Sequence, residues 1–134
     1  MKIASKTDIL QFSKRRYSFV EIPEIDLKVR IQSLTEREKS RYETDLLSKS
    51  GRGVSRTRLM DASRRLVAIC AVDNEGERLF SDDNVSALAD IDALVITRIA
   101  KECEIHIGMS EGDGIAELVK NSETATLDED SHSG

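Results

Sequence analysis

Apolar and polar residues alternate strictly over Leu27-Lys28-Val29-Arg30-Ile31-Gln32. Leu27, Val29 and Ile31 fall on one face, Lys28, Arg30 and Gln32 on the other. A period of two marks a half-buried strand. Just upstream, Tyr17-Ser18-Phe19-Val20-Glu21-Ile22 is rich in the aromatic and β-branched residues that suit a pleated surface. Pro23 and Asp26 supply turn chemistry between the two runs. Together they predict a β-hairpin over about residues 17–33. Thr35-Glu36-Arg37-Glu38 follows at once and reads as a capping box. The Thr35 hydroxyl can accept from the Glu38 amide while the Glu38 carboxylate reaches back to the Thr35 amide.

Beyond this point the apolar spacing is helical. Residues 35–49 carry Tyr42, Leu46 and Leu47 on a narrow stripe. Ser50-Gly51-Arg52-Gly53 stops that helix; it lacks the Gly-Lys-Ser/Thr signature, so it reads as a connector and not a phosphate loop. Residues 56–72 predict the central core helix, with Leu66, Val67 and Cys70 inward, broken by Asp73-Asn74-Glu75-Gly76. Arg78-Leu79-Phe80 reads as a short extended piece. Ser81 is then expected to cap a helix that buries Val85, Leu88 and Ala89. Residues 92–107 predict the last long helix, with Leu94, Val95, Ile99 and Cys103 as its stripe and Gly108 as its stop. A short helix over 112–120 and a disordered acidic tail over 121–134 complete the chain.

Upstream of the hairpin, Ser5 is expected to cap a short helix whose apolar residues Ile9, Leu10 and Phe12 pack on the strands. Lys14-Arg15-Arg16 reads as a solvated connector. The fold class is therefore α+β, mostly α. A hairpin, the sole β element, is followed by a compact bundle of about four to five helices in a single domain over residues 1–120. The hairpin then lies against the helices as an appendage with an open edge.

Composition narrows the function. The 134 residues are 39% hydrophobic and 34% charged, enough for a core without staples. There is no tryptophan, and three phenylalanines and two tyrosines speak against a base-stacking platform. The net charge of −5 divides unevenly. Residues 1–70 hold 16 basic and 9 acidic side chains, residues 71–134 hold 4 and 16, so +7 and −12 sum to −5. Opposite-signed halves can satisfy each other within a monomer or between self-associated, stacked copies. The alternative is a small DNA-binding or regulatory protein using the basic first half. It fits less well, because the basic residues are spread among acids and the central helix is too apolar for a recognition helix. No apolar leader and no apolar run of membrane length occurs, so a cytoplasmic protein without a membrane partner is expected.

No catalytic, cofactor-binding or metal-ligating residue stands out. His132 lies in the expected tail. Cys103 and His106 make at most half a metal site, and no second pair of ligands accompanies them. Cys70 and Cys103 sit in apolar helical patterns and read as buried reduced thiols, with a disulfide between them the alternative.

Short motifs in order carry a resemblance. They are Val-Glu-Ile-Pro-Glu at 20–24; Val29-Arg30-Ile31 with Ser33-Leu34-Thr35, the Glu-Arg-Glu helix start and Tyr42-Glu43; and Arg65-Leu66-Val67 running to Val72-Asp73-Asn74-Glu75-Gly76. Leu79-Phe80-Ser81-Asp82-Asp83, Val85 with Leu88, and Lys120-Asn121-Ser122-Glu123 follow. The chain resembles the tail assembly chaperones of long-tailed, siphovirus-like bacteriophages and prophages. It departs from them at His106-Ile107-Gly108-Met109, where the family suggests Asn-Gly-Leu. The resemblance implies a non-enzymatic protein of the bacterial host cytoplasm. It would bind the tape measure protein, keep that protein's long hydrophobic helices soluble and help recruit tail tube subunits. Many such proteins are made in a short form and a frameshifted longer one. The candidate partner-binding residues are Tyr17, Lys28 and Arg30 on the hairpin, with Tyr42 and Leu46 on the helix that follows. Reversing the charge of Arg30 is expected to weaken assembly and leave stability nearly unchanged.

Overall fold

The computed structural model describes residues 1–47 and 60–109. Strands β1 (Tyr17–Ile22) and β2 (Leu27–Gln32) pair antiparallel, with Val20 opposite Val29 and Phe19 opposite Arg30. Their connection is a 3-10 turn over Pro23–Ile25, closed by Asp26 in the left-handed region at φ 54°. A short polar side chain tolerates that conformation better than most. Through the middle of the hairpin the alternation holds: Val20, Ile22 and Ile31 are buried inward, and Tyr17, Phe19, Lys28 and Arg30 share the outer face. At the two ends of β2 it does not: Leu27 is 62% exposed, and Gln32 is buried, its Nε2 donating to the Ile69 carbonyl at 2.8 Å.

Helix α1 (Lys6–Leu10) has the expected Ser5 cap, reciprocated by Asp8. Its apolar residues do not pack on the hairpin. Ile9, Leu10 and Phe12 are all exposed, Phe12 to 78%. A helix of five residues with no buried position is held by its cap and not by packing. Helix α2 (Glu36–Asp45) starts on the capping box: Thr35 Oγ1 accepts from the Glu38 amide at 3.2 Å, and the Thr35 amide donates to Glu38 Oε1 at 2.8 Å.

The hairpin is not the sole β element. Helix α3 (Ala62–Cys70) passes directly into β3 (Ala71–Val72), which pairs antiparallel with β2, Arg30 opposite Val72 and Ile31 opposite Ala71. The uninterrupted apolar run from Leu66 to Val72 suits a buried helix and a buried strand equally, so periodicity could not place the switch. The following turn decides it. Asp73 Oδ1 accepts from the amides of Glu75 at 2.8 Å and Glu77 at 3.0 Å. Gly76 takes φ 84°, and the chain returns to bridge Arg78 against Val72. The sheet order is β1-β2-β3. The open edge of the hairpin therefore belongs to β1, and β2 is interior.

Ser81 caps a 3-10 turn (Asp82–Asn84), and a second one follows (Ala87–Asp90), in place of the expected α-helix. Asn84 Oδ1 accepts from the Ser81 amide at 2.9 Å, one half of a capping box around the first of these turns. Helix α4 (Ala93–His106) is capped by Asp92, whose Oδ1 accepts from the Leu94 amide at 2.9 Å. Its buried stripe is Ile96, Ile99, Ala100 and Cys103. Leu94, expected on that stripe, falls about half a turn away with Ile105, and both are exposed. Gly108 ends the helix at φ 80°.

The core is where α3 and α4 cover the inner face of the sheet. Ile22, Ile31, Leu46, Leu66, Val67, Cys70 and Cys103 are essentially inaccessible to water. Each large aliphatic side chain buried there stabilises the fold by about 1.5–3 kcal/mol. Cys70 and Cys103 are free thiols in contact across α3 and α4. Their hydrogen bond, then burial, push the Cys103 thiol pKa up. Mostly α, with a hairpin at the N-terminal side, the molecule has the expected class. The expected end of the second helix at 49, the Ser50-Gly51-Arg52-Gly53 loop, the start of the third helix at 56–59, the short helix over 112–120 and the acidic tail over 121–134 lie outside the described residues.

Candidate partner-binding face

The outer face of the hairpin is an alternating ladder of cations and rings. Register places Phe19 opposite Arg30 and Glu21 opposite Lys28, yet each cation leans to the neighbouring ring. Lys28 Nζ lies 4.6 Å from the Phe19 centroid and the Arg30 guanidinium 3.8 Å from the Tyr17 centroid. Such diagonal contacts are within reach of long side chains on adjacent strands. At exposed sites each contributes about 0.5–1 kcal/mol. As whole residues Tyr17 and Phe19 are 41% and 52% exposed.

Arg30 does more than stack. Its Nη1 donates to the carbonyls of Asp73 at 3.1 Å and Asn74 at 2.9 Å, tying the turn after β3 to the sheet. Gly76, in that turn, runs so close to the ring that a Cβ there would lie 2.9 Å from Tyr17 Oη. The expectation that an Arg30 reversal would spare stability is thereby overturned: a carboxylate would face two carbonyls that now accept from a guanidinium.

The candidate residues divide. Tyr17, Lys28 and Arg30 are brought together on one face. Tyr42 and Leu46 are not part of it; they are 4% and 1% exposed. The Tyr42 hydroxyl donates to the Ala62 carbonyl at 3.2 Å, and burial first of all pushes its pKa up. Their stripe covers α3, and a partner could reach it only after α2 had opened.

Lys14-Arg15-Arg16 is not a solvated connector. Arg15 forms a two-pronged ion pair with Glu38, Nη2 to Oε2 at 2.8 Å, and its Nη1 also donates to the Ser33 carbonyl at 2.9 Å. That guanidinium, followed by the Thr35 cap, holds the Glu38 carboxyl down at about 2 despite partial burial. Arg16 Nη2 donates to the His106 carbonyl at 2.8 Å, and His106 Nε2 lies 3.1 Å from the Arg16 carbonyl oxygen. His106 therefore fastens the end of α4 to the strand entry, and Cys103 turns to Cys70. Among the described residues no group of three or more His, Cys, Asp or Glu could hold a metal ion. No helix there is long and apolar enough to cross a membrane.

Two exposed features escaped the sequence reading. Phe19 shares the parity of Tyr17, and extending the period of two through β1 would have found it. Ile9, Leu10 and Phe12 line a cleft of about 390 Å³ against Ser33, Leu34 and Thr35, and no sequence signal distinguishes that exposure from packing.

No protein-family model matches the chain, and no curated protein matches its sequence. Among solved structures, the tail assembly chaperone of bacteriophage HK97 is similar, with a TM-score of 0.55 at 19% identity. The match covers 78% of this chain and 96% of that one. The chain has the fold of that phage tail assembly chaperone, as the ordered motifs implied.

Proposed function

We propose that this chain is a non-enzymatic tail assembly chaperone of a long-tailed bacteriophage or prophage, acting in the host cytoplasm. Its partners are the tape measure protein, whose long apolar helices it keeps soluble, and the tail tube subunits it helps to recruit. The observation that carries this reading is the fold match, which spans nearly the whole HK97 chaperone. It agrees with motifs read independently along the same order of elements. Physical features support it. The chain displays half-exposed rings flanked by cations on the hairpin and an apolar cluster at α1. Rings with flexible cations suit an amphipathic helical partner, which needs apolar contact and charge matching at once.

The DNA-binding alternative is the weaker one, because Arg15, Arg16, Arg30 and Arg64 of the basic first half are each held by acceptors within the chain. The test is genetic. Removing the gene from its phage should give heads without tails, and supplying the intact chain in trans should restore infectious particles. Normal tails in its absence would refute the reading.

A further inference from the structure

The open edge of β1 carries an inference that stands apart from the chaperone reading. The Ser33 amide donates to the Arg16 carbonyl at 2.8 Å, one step beyond the Tyr17–Gln32 pair. Ladder bonds in an antiparallel pair alternate, so Ser18, Val20 and Ile22 spend their amides and carbonyls on β2. Those of Tyr17, Phe19 and Glu21 point away from the sheet. No strand pairs with them among the described residues. Among the described residues the edge strand has no proline and no bulge, and Glu21 is its single charge.

Charge says what fits it. Lys14, Arg15 and Arg16 lead into β1, and Glu21, Glu24 and Asp26 lie at its far end. An antiparallel neighbour with the same sequence sets the basic end of each strand against the acidic end of the other, twice. A parallel neighbour sets like against like. Arg15, Arg16 and Glu24 are already engaged by Glu38, the His106 carbonyl and Arg98, whereas Lys14, Glu21 and Asp26 form no ion pair within the chain among the described residues, so these three carry the complementarity.

We propose that two copies of this chain pair through their β1 edges, antiparallel about a two-fold axis at Phe19, into one continuous six-stranded sheet. Parity selects the register. Phe19 faces Phe19 of the second copy and Tyr17 faces Glu21, which forms about six backbone hydrogen bonds. The two outer ladders of Lys28, Phe19, Arg30 and Tyr17 then merge into a single aromatic strip with cationic margins.

Sedimentation velocity of the full chain across a concentration series tests this. A dimer is expected, with Phe19→Pro raising its dissociation constant at least about tenfold. That variant removes an outward-pointing amide and the ring that Lys28 covers but leaves the β1–β2 ladder in place, so its circular dichroism should stay close to that of the parent and its thermal midpoint only a little lower. If Phe19→Pro does not fold, Glu21→Lys serves: alone it should weaken the dimer by setting a cation against Tyr17 and the Arg30 that covers it, and combined with Tyr17→Glu, the position it faces, it should restore it. A chain that is monomeric at every concentration overturns the proposal. So does a dimer indifferent to Glu21→Lys.

Discussion

The Arg30 guanidinium lies over the Tyr17 ring at 3.8 Å while donating to the carbonyls of Asp73 and Asn74. One side chain thus joins the strand-facing ring, the interior strand and the turn after β3. Arg30→Glu should cost about 2 kcal/mol, from lost charge-assisted hydrogen bonds, the lost ring contact and two repelled acceptors. Arg30→Lys should cost less but remain measurable, because an ammonium cannot stack flat and reach both carbonyls. Urea denaturation of the three proteins checks the order.

Glu38 makes stability depend on pH. Its carboxyl sits at about 2 in the folded chain against an ordinary 4.5. The depressed value means that the stabilisation is fully present above about pH 4.5 and is lost as the pH falls towards 2. Because the pair is partly open to water, its size should be about 1 kcal/mol. Glu38→Gln should lower the thermal midpoint at neutral pH and flatten the fall between pH 4.5 and 2. An unchanged acid limb in the variant would show that Arg15 does not hold this carboxylate.

The hairpin, the Thr35 cap and the Asp92–Gly108 limits of α4 were legible because each rests on local chemistry: a period of two, a side-chain cap, a left-handed glycine. The β3 strand was not, because the apolar run from Leu66 to Val72 suits either state and only the Asp73–Arg78 return selects strand. The roles of Arg15 and Arg16 were hidden for another reason. Their partners Glu38 and His106 lie 23 and 90 residues away, and no spacing rule reaches that far. Of the expected partner residues, Tyr17, Lys28 and Arg30 follow from strand parity. Tyr42 and Leu46 show the limit of a helical stripe, which says that a face is apolar and not what covers it.

Tyr42 anchors α2 to α3 through its bond to the Ala62 carbonyl. Tyr42→Phe should cost about 1 kcal/mol, the worth of one buried hydrogen bond. Tyr42→Ala should cost about 3–5 kcal/mol, since a cavity is added. Equal effects in a denaturation series would place the ring outside the core.

Cys70 and Cys103 are buried in contact, and their hydrogen bond and burial keep the Cys103 thiol protonated. A thiolate-selective reagent should therefore modify neither in the native protein on a timescale of minutes and both at once in denaturant. Prompt labelling of one thiol under native conditions would show that α3 and α4 open locally.

Co-expression with the cognate tape measure protein tests the central claim most directly. The measured quantity is the fraction of that protein in the soluble, co-purifying pool. The chaperone reading predicts that it is insoluble alone, soluble in complex with this chain, and released by the paired changes Phe19→Ala and Lys28→Glu, which leave the core untouched. A tape measure protein whose solubility does not change in the presence of this chain would contradict it.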